Sequence, residues 1–159
     1  MIFGEFFPNP GGRALTDVAR ATVSLPTAFF TEALGTAILM LVIFGSVDER
    51  NASRPGTLTP LTIGLTVTIL ISLLGPVTMA AFNPARDLAP RLFSAMAGWG
   101  TLPFTFNGMG WLMVYVVAPV TGAVAGGGIY RWGLKPHYAN PPERSRSPVA
   151  STDPTNSAH

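Results

Sequence analysis

Residues 75–100 read GPVTMAAFNPARDLAPRLFSAMAGWG, and this stretch decides how the rest of the chain is read. The apolar run 58–82 stops abruptly at Asn83-Pro84. Proline suits the first helical position, where its missing N–H would have no partner anyway, and asparagine before it is a good N-cap. The pair therefore predicts a short helix over about 84–96, closed by Gly98-Trp99-Gly100. At roughly 1.5 Å per residue, such a helix crosses only about two-thirds of a ~30 Å hydrocarbon core. Asp87 in its first turn is favoured by the helix dipole and Arg86 is opposed by it. A cation at the wrong end of a helix marks Arg86 as a functional candidate. The plain alternative is a lipid headgroup or an aspartate as its partner.

Working outward, the composition points to a bilayer. Of 159 residues, 48% are hydrophobic and 11% charged, against about 25% charged in soluble domains. The net charge of +2 is small and scattered, so nucleic acid is not an expected partner. The chain has no cysteine, hence no disulfide framework, and no metal or other cofactor is expected. Residues 1–7 lack a basic start and a long apolar run, so no signal peptide is expected. No nucleophile–base set stands out, and His137 and His159 fall in a polar tail, so an enzyme is not expected either.

Three segments have the length and composition of membrane spans, about 26–47, 58–74 and 111–132. The first carries a single charge, Glu32, and a carboxylate inside a span is costly enough to be a functional hypothesis by default. Its plain alternative is a position near the interface, from which it snorkels. Gly75-Pro76 is expected to end the second span, with 77–82 returning as extended backbone toward mid-membrane. Unpaired backbone is tolerated at that depth only where it lines a wet cavity or is buried in protein. The carbonyls of this piece, at Met79, Ala81 and Phe82 among others, are therefore candidate pore-lining acceptors. Residues 1–25 read as a loop with a short surface helix over 13–23, 48–57 as a polar connector, and 135–159 as a disordered tail. Trp111 and Trp132 fall at the two ends of the third span, where aromatic belts sit. Arg50, Arg54, Arg131, Lys135, Arg144 and Arg146 fall on one side if three spans and one re-entrant helix are counted. The positive-inside rule makes that side, and the tail, cytoplasmic and the loop 1–25 external.

The Asn83-Pro84-Ala85-Arg86-Asp87 run, with Gly75-Pro76 before it and Pro90-Arg91 and Ala97-Gly98-Trp99-Gly100 after it, resembles the second half of the aquaporin/glycerol-facilitator family. The resemblance covers about residues 5–135. It implies an all-α membrane protein of the cell membrane, with three transmembrane helices and one re-entrant half-helix. This is the second inverted repeat of the aquaporin fold, with the first repeat missing. It implies that Glu32 braces the pore loop, with Gly75 and Asp87 as further structural support, and Asp87 is expected to anchor the helix start through backbone N–H groups. Asn83, Pro84 and Ala85 become the pore motif, and Arg86 the selectivity-filter arginine. The family's other two filter positions in this half fall on Ile71 and Ala80. Ile71 removes a polar donor and Ala80 removes bulk, which leans toward glycerol-type solutes, as do Asp87 and Arg91. Tyr115-Val116 match neither the water nor the glycerol subgroup well.

A channel for neutral solutes must replace hydration and still refuse ions. The Asn83 amide can donate to a water or hydroxyl oxygen, and the helix starting at Pro84 places about half a positive charge at the same point. Fixed donors and a positive helix end raise the barrier to protons and cations. The resemblance therefore implies a passive channel for glycerol or water. Its expected partners are the lipid bilayer and the missing N-terminal repeat or another half-channel, with a homotetramer in the complete form. The chain is expected to be a truncated or split half. The alternative is a non-conducting structural or assembly membrane protein, or a pseudogene-like fragment.

Overall fold

The computed structural model describes residues 23–105 and 110–138. The surface helix expected over 13–23 and the tail beyond 138 lie outside the described residues, apart from Val23. Every regular element among the described residues is helical. Helix α1 spans Leu25–Val47, α2 Thr59–Thr78, α3 Pro84–Ser94, α4 Leu102–Thr105 and α5 Gly110–His137. Three of these, α1, α5 and α2 with the helical turn Gly56–Leu58 before it, are long and apolar enough to cross a membrane. The remaining long piece, α3 (11 residues) with the π turn Ala95–Trp99 (5 residues) that continues it and breaks at Gly98 (φ 105°), is too short to do so.

Each boundary has a local cause. Ser24 caps α1, its Oγ accepting from the Thr27 N–H at 3.3 Å, and Pro26 sits in the first turn. At the other end Asp48 turns to extended backbone. Asn51 Nδ2 then donates to the Gly45 carbonyl at 2.7 Å and Thr59 Oγ1 to the Ser46 carbonyl at 3.2 Å, so terminal carbonyls of α1 find partners in the connector and at the start of α2. Tyr130 of α5 donates its hydroxyl to Asp48 Oδ2 at 2.5 Å. That bond, then the backbone and side-chain N–H groups of Arg50, hold the Asp48 carboxyl below the usual aspartate range. Phe44 stacks on the Tyr130 ring at 5.4 Å, so α1 and α5 finish together.

Two expectations for α2 and its exit need correction. The helix does not stop before Gly75-Pro76 but runs through them to Thr78. Ending at Leu74 would free several backbone groups in an apolar setting, whereas Pro76 in the last turn forfeits one hydrogen bond. The following residues are not extended either. Met79, Ala80 and Phe82 have φ of 65°, 52° and 52°, in the left-handed region. The third span is also longer than expected, continuing through Lys135 to His137. Pro119 is accommodated inside it because residues Met113–Val117 form a wider π turn, with the Ala118 N–H bonding the Met113 carbonyl.

Helix α1 is the centre of the bundle, packing most extensively against α5 and next against α2. The α1–α5 seam is built from small residues. A Cβ on Gly122 would collide with the backbone of Ala33, and one on Gly126 with that of Ala37. Two residues four apart on each helix thus let the two backbones touch, the packing expected of membrane helices. The outer face of α2 carries Leu61, Leu65, Ile69 and Leu73, each more than half exposed.

Candidate functional site

The site is assembled where the α2–α3 loop folds onto the middle of α1. Ala80 and Phe82 are left-handed and Ala81 between them is not, an alternation that turns successive N–H groups to one side as an anion-binding nest. Here the anion is part of the protein. Glu32, with no solvent exposure, accepts from the Ala81 N–H at 3.0 Å through Oε1 and from the Phe82 N–H at 2.7 Å through Oε2. It does not reach the interface to snorkel. Thr36, one turn along α1, donates its hydroxyl chiefly to the Glu32 carbonyl at 2.8 Å, with the Phe82 carbonyl as a longer second acceptor at 3.4 Å. Thr78 Oγ1 accepts from the Ala80 N–H at 3.2 Å, and the fully buried Tyr115 of α5 donates its hydroxyl to the Thr78 carbonyl at 3.2 Å. The Phe82 ring lies against Gly35, where any Cβ would overlap it. The loop is thus held from α1, α2 and α5, which offsets the roughly 1–3 kcal/mol that each left-handed non-glycine residue costs.

Beyond the loop, Asn83 caps α3 with extended backbone, its Oδ1 accepting from the Ala85 N–H at 2.9 Å. That bond uses Oδ1 and leaves Nδ2 as the amide's donor group. Asn83, Ala85 and Arg86 are exposed, and Pro84 is half-buried. Arg86 Nη1 donates to the Ala80 carbonyl at 3.1 Å, and among the described residues no carboxylate pairs with it. The structure therefore brings Ala80, Asn83 and Arg86 together, with the Ala80 carbonyl, not its buried side chain, meeting the guanidinium. Met79 is also exposed. Ala81 and Phe82 are buried, their N–H groups held by Glu32, and of the carbonyls expected to line a pore that of Phe82 lies 3.4 Å from Thr36 Oγ1 on α1. Ile71 is half-buried and packs on the Leu70, Ala80 and Phe82 cluster.

Two supporting residues act differently from expectation. Gly75 lies inside α2, its carbonyl accepting from the Met79 N–H at 2.7 Å, and a Cβ there would meet only Ile71 Cγ2 at 3.9 Å. It neither ends the helix nor makes room for a neighbour among the described residues. Asp87 does not bond the helix-start N–H groups, because Arg91 four residues on takes its carboxylate, with contacts of 2.6 and 2.9 Å. The pair is buried. Arg91 also donates to the Pro103 carbonyl at 2.5 Å and lies over the Trp111 and Tyr115 rings at 5.7 and 5.4 Å. This clamp ties α3 to α4 and α5. Sequence reasoning did not single out Thr36, Thr78, Gly35 or Pro103, and it noted Tyr115 only as a subgroup position, not as a support of the loop. A hydroxyl one turn from Glu32 and a tyrosine inside an apolar span were the available signals.

Comparison with known proteins gives one consistent result. The sequence pattern of the family described as Major intrinsic protein matches residues 6–130. Mouse aquaporin-9 is 44% identical over 128 residues, covering 80% of this chain and 43% of the relative. The glycerol uptake facilitator protein of Pseudomonas aeruginosa is 43% identical over 110 residues, with 69% and 39% covered. The propanediol uptake facilitator of Citrobacter freundii is 42% identical over 113 residues, with 70% and 42% covered. The chain thus spans about two-fifths of the length of these relatives.

Proposed function

The chain belongs to the major intrinsic protein family, and from that premise we propose that it forms one half of a passive channel for small uncharged solutes, glycerol-type before water. One observation carries the proposal: a buried carboxylate on α1 spends both its oxygens on holding a backbone loop, which leaves the Asn83 amide and the Arg86 guanidinium exposed at the start of a half-helix. In this reading α3 is re-entrant, its N-terminus near mid-membrane, at the level of Thr36 in the middle of α1. The partial positive charge there and the full charge of Arg86 repel cations and protons, and the fixed donors replace the hydration of a hydroxyl or a water. Half-buried Ile71 gives the passage an apolar side and the small Ala80 adds no bulk to it, which favours a solute carrying both hydroxyls and CH groups. Names that include glycerol and propanediol uptake among the relatives support the same lean.

A pore wall needs a second side, so completion by another repeat, whichever polypeptide carries it, is part of the proposal. The complete form is read as a homotetramer and the end of the bundle bearing Arg50 and Lys135 as cytoplasmic. Proteoliposomes holding the chain together with the first repeat of a glycerol facilitator test this by stopped-flow light scattering. Rapid glycerol flux is expected with both parts and little with the chain alone, and Arg86→Ala should admit cations to the completed pore. Equal flux with and without the chain would leave it a non-conducting packing protein, and rapid flux from the chain alone would remove the need for a second repeat.

A further inference from the structure

The connector just after α1 and the end of α5 border an open cavity of about 340 Å³ lined by Arg50, Arg131, Trp132, Lys135 and Pro136. Three cations on one concavity call for an anion. Asp48, which pairs with the cavity's Arg50, already accepts from the Tyr130 hydroxyl and from Nε and Nη2 of Arg50. Its neighbour Glu49 does not line the cavity. Arg50 keeps its Nη1 edge for another acceptor, and Arg131 is exposed. Cations near a helix C-terminus are favoured by the dipole, but the dipole does not require three of them around one hollow. The position adds the second half of the argument. Trp132 is 75% exposed at the end of a helix apolar enough to span, where an indole sits at headgroup level, and the flanking Ile129 and Leu134 are exposed as well. A ligand with a phosphate at the mouth and hydrocarbon alongside fits both surfaces. Basic hollows at the ends of membrane helices take such headgroups.

We propose that this cavity binds the phosphate of an anionic phospholipid headgroup, with Arg131, Lys135 and the Nη1 edge of Arg50 on its oxygens and Trp132 beside its glycerol backbone. The inference does not rest on solute transport. Native mass spectrometry of the full chain in neutral detergent tests it with three probes: dioctanoyl phosphatidylglycerol, dioctanoyl phosphatidylcholine and inorganic phosphate. The expected result is retention of phosphatidylglycerol in preference to the other two. The double variant Arg131→Gln/Lys135→Gln should weaken that binding about thirtyfold, from two cations near the surface. Arg54→Gln, an exposed arginine outside the cavity, should leave it unchanged. Should the double variant not fold, Lys135→Gln alone should cost about fivefold. Equal binding of the two lipids, or no loss in the cavity variants, overturns the proposal. Inorganic phosphate binding as well as the lipid overturns the lipid as its source.

Discussion

Helix α1 buries two kinds of backbone on two of its faces, and does so by opposite means. Toward α5, Ala33 and Ala37 meet Gly122 and Gly126 backbone against backbone. Toward the α2–α3 loop, Glu32 and Thr36 supply a carboxylate and a hydroxyl to peptide groups. The difference follows from what each partner can do for itself. A helix satisfies its own hydrogen bonds and asks its neighbour only for space, whereas a loop at the same depth cannot and must be given partners. The costly charge inside an apolar span is therefore placed where the backbone is irregular.

Several substitutions would sharpen or break that contrast. Glu32→Ala should have the largest effect, about 3–6 kcal/mol, because it orphans two buried N–H groups and frees a loop with three left-handed residues. Denaturant or thermal unfolding in detergent micelles checks this, with Glu32→Gln falling between the variant and the parent. Asp87→Ala leaves the buried Arg91 without its carboxylate and should cost about 3 kcal/mol. That is the low end for a broken buried pair, since the Pro103 carbonyl and two aromatic faces remain. Gly122→Leu should cost about 2 kcal/mol by prising α1 from α5. It should leave the loop intact, read as unchanged hydrogen-exchange protection at Ala81 and Phe82. Loss of protection there would mean that the two faces are not independent.

The smallest effect belongs to Asp48. Its carboxyl titrates lower folded than unfolded, so its contribution is present above the ordinary aspartate value of about 3.9 and fades as pH falls through the folded value. Stability should therefore decline slightly below about pH 4, and Tyr130→Phe, which removes the strongest of the bonds to that carboxylate, should flatten the decline.

Much of this arrangement was legible because it rests on local chemistry. Asn83-Pro84 is a helix start by cap and proline geometry alone, and α3 begins there. Glu32 stood out because a lone carboxylate in an apolar run demands a partner, and it has one in the loop. The rest depended on contacts distant in sequence. Nothing in the residues around Gly75-Pro76 reveals that α2 keeps its hydrogen bonds to Thr78, since that choice depends on how costly free backbone is at that depth. The left-handed turn at Met79, Ala80 and Phe82 contradicts the preference of those residue types. It exists because a carboxylate 49 residues earlier in the chain collects the N–H groups it presents. Asp87 offered two local partners, the helix-start N–H groups and Arg91, and burial beside Trp111 and Tyr115 favours the side chain able to neutralise it.

The most direct test is the sidedness of the chain around α3. With no native cysteine, single replacements Ser53→Cys, Thr101→Cys and His137→Cys in sealed proteoliposomes can be read with a membrane-impermeant maleimide. A half-helix that enters and leaves by one face puts positions 53 and 137 on one side and position 101 on the other. Labelling of position 101 from the same side as position 53 would mean that α3 crosses the bilayer, and the half-channel reading would be wrong.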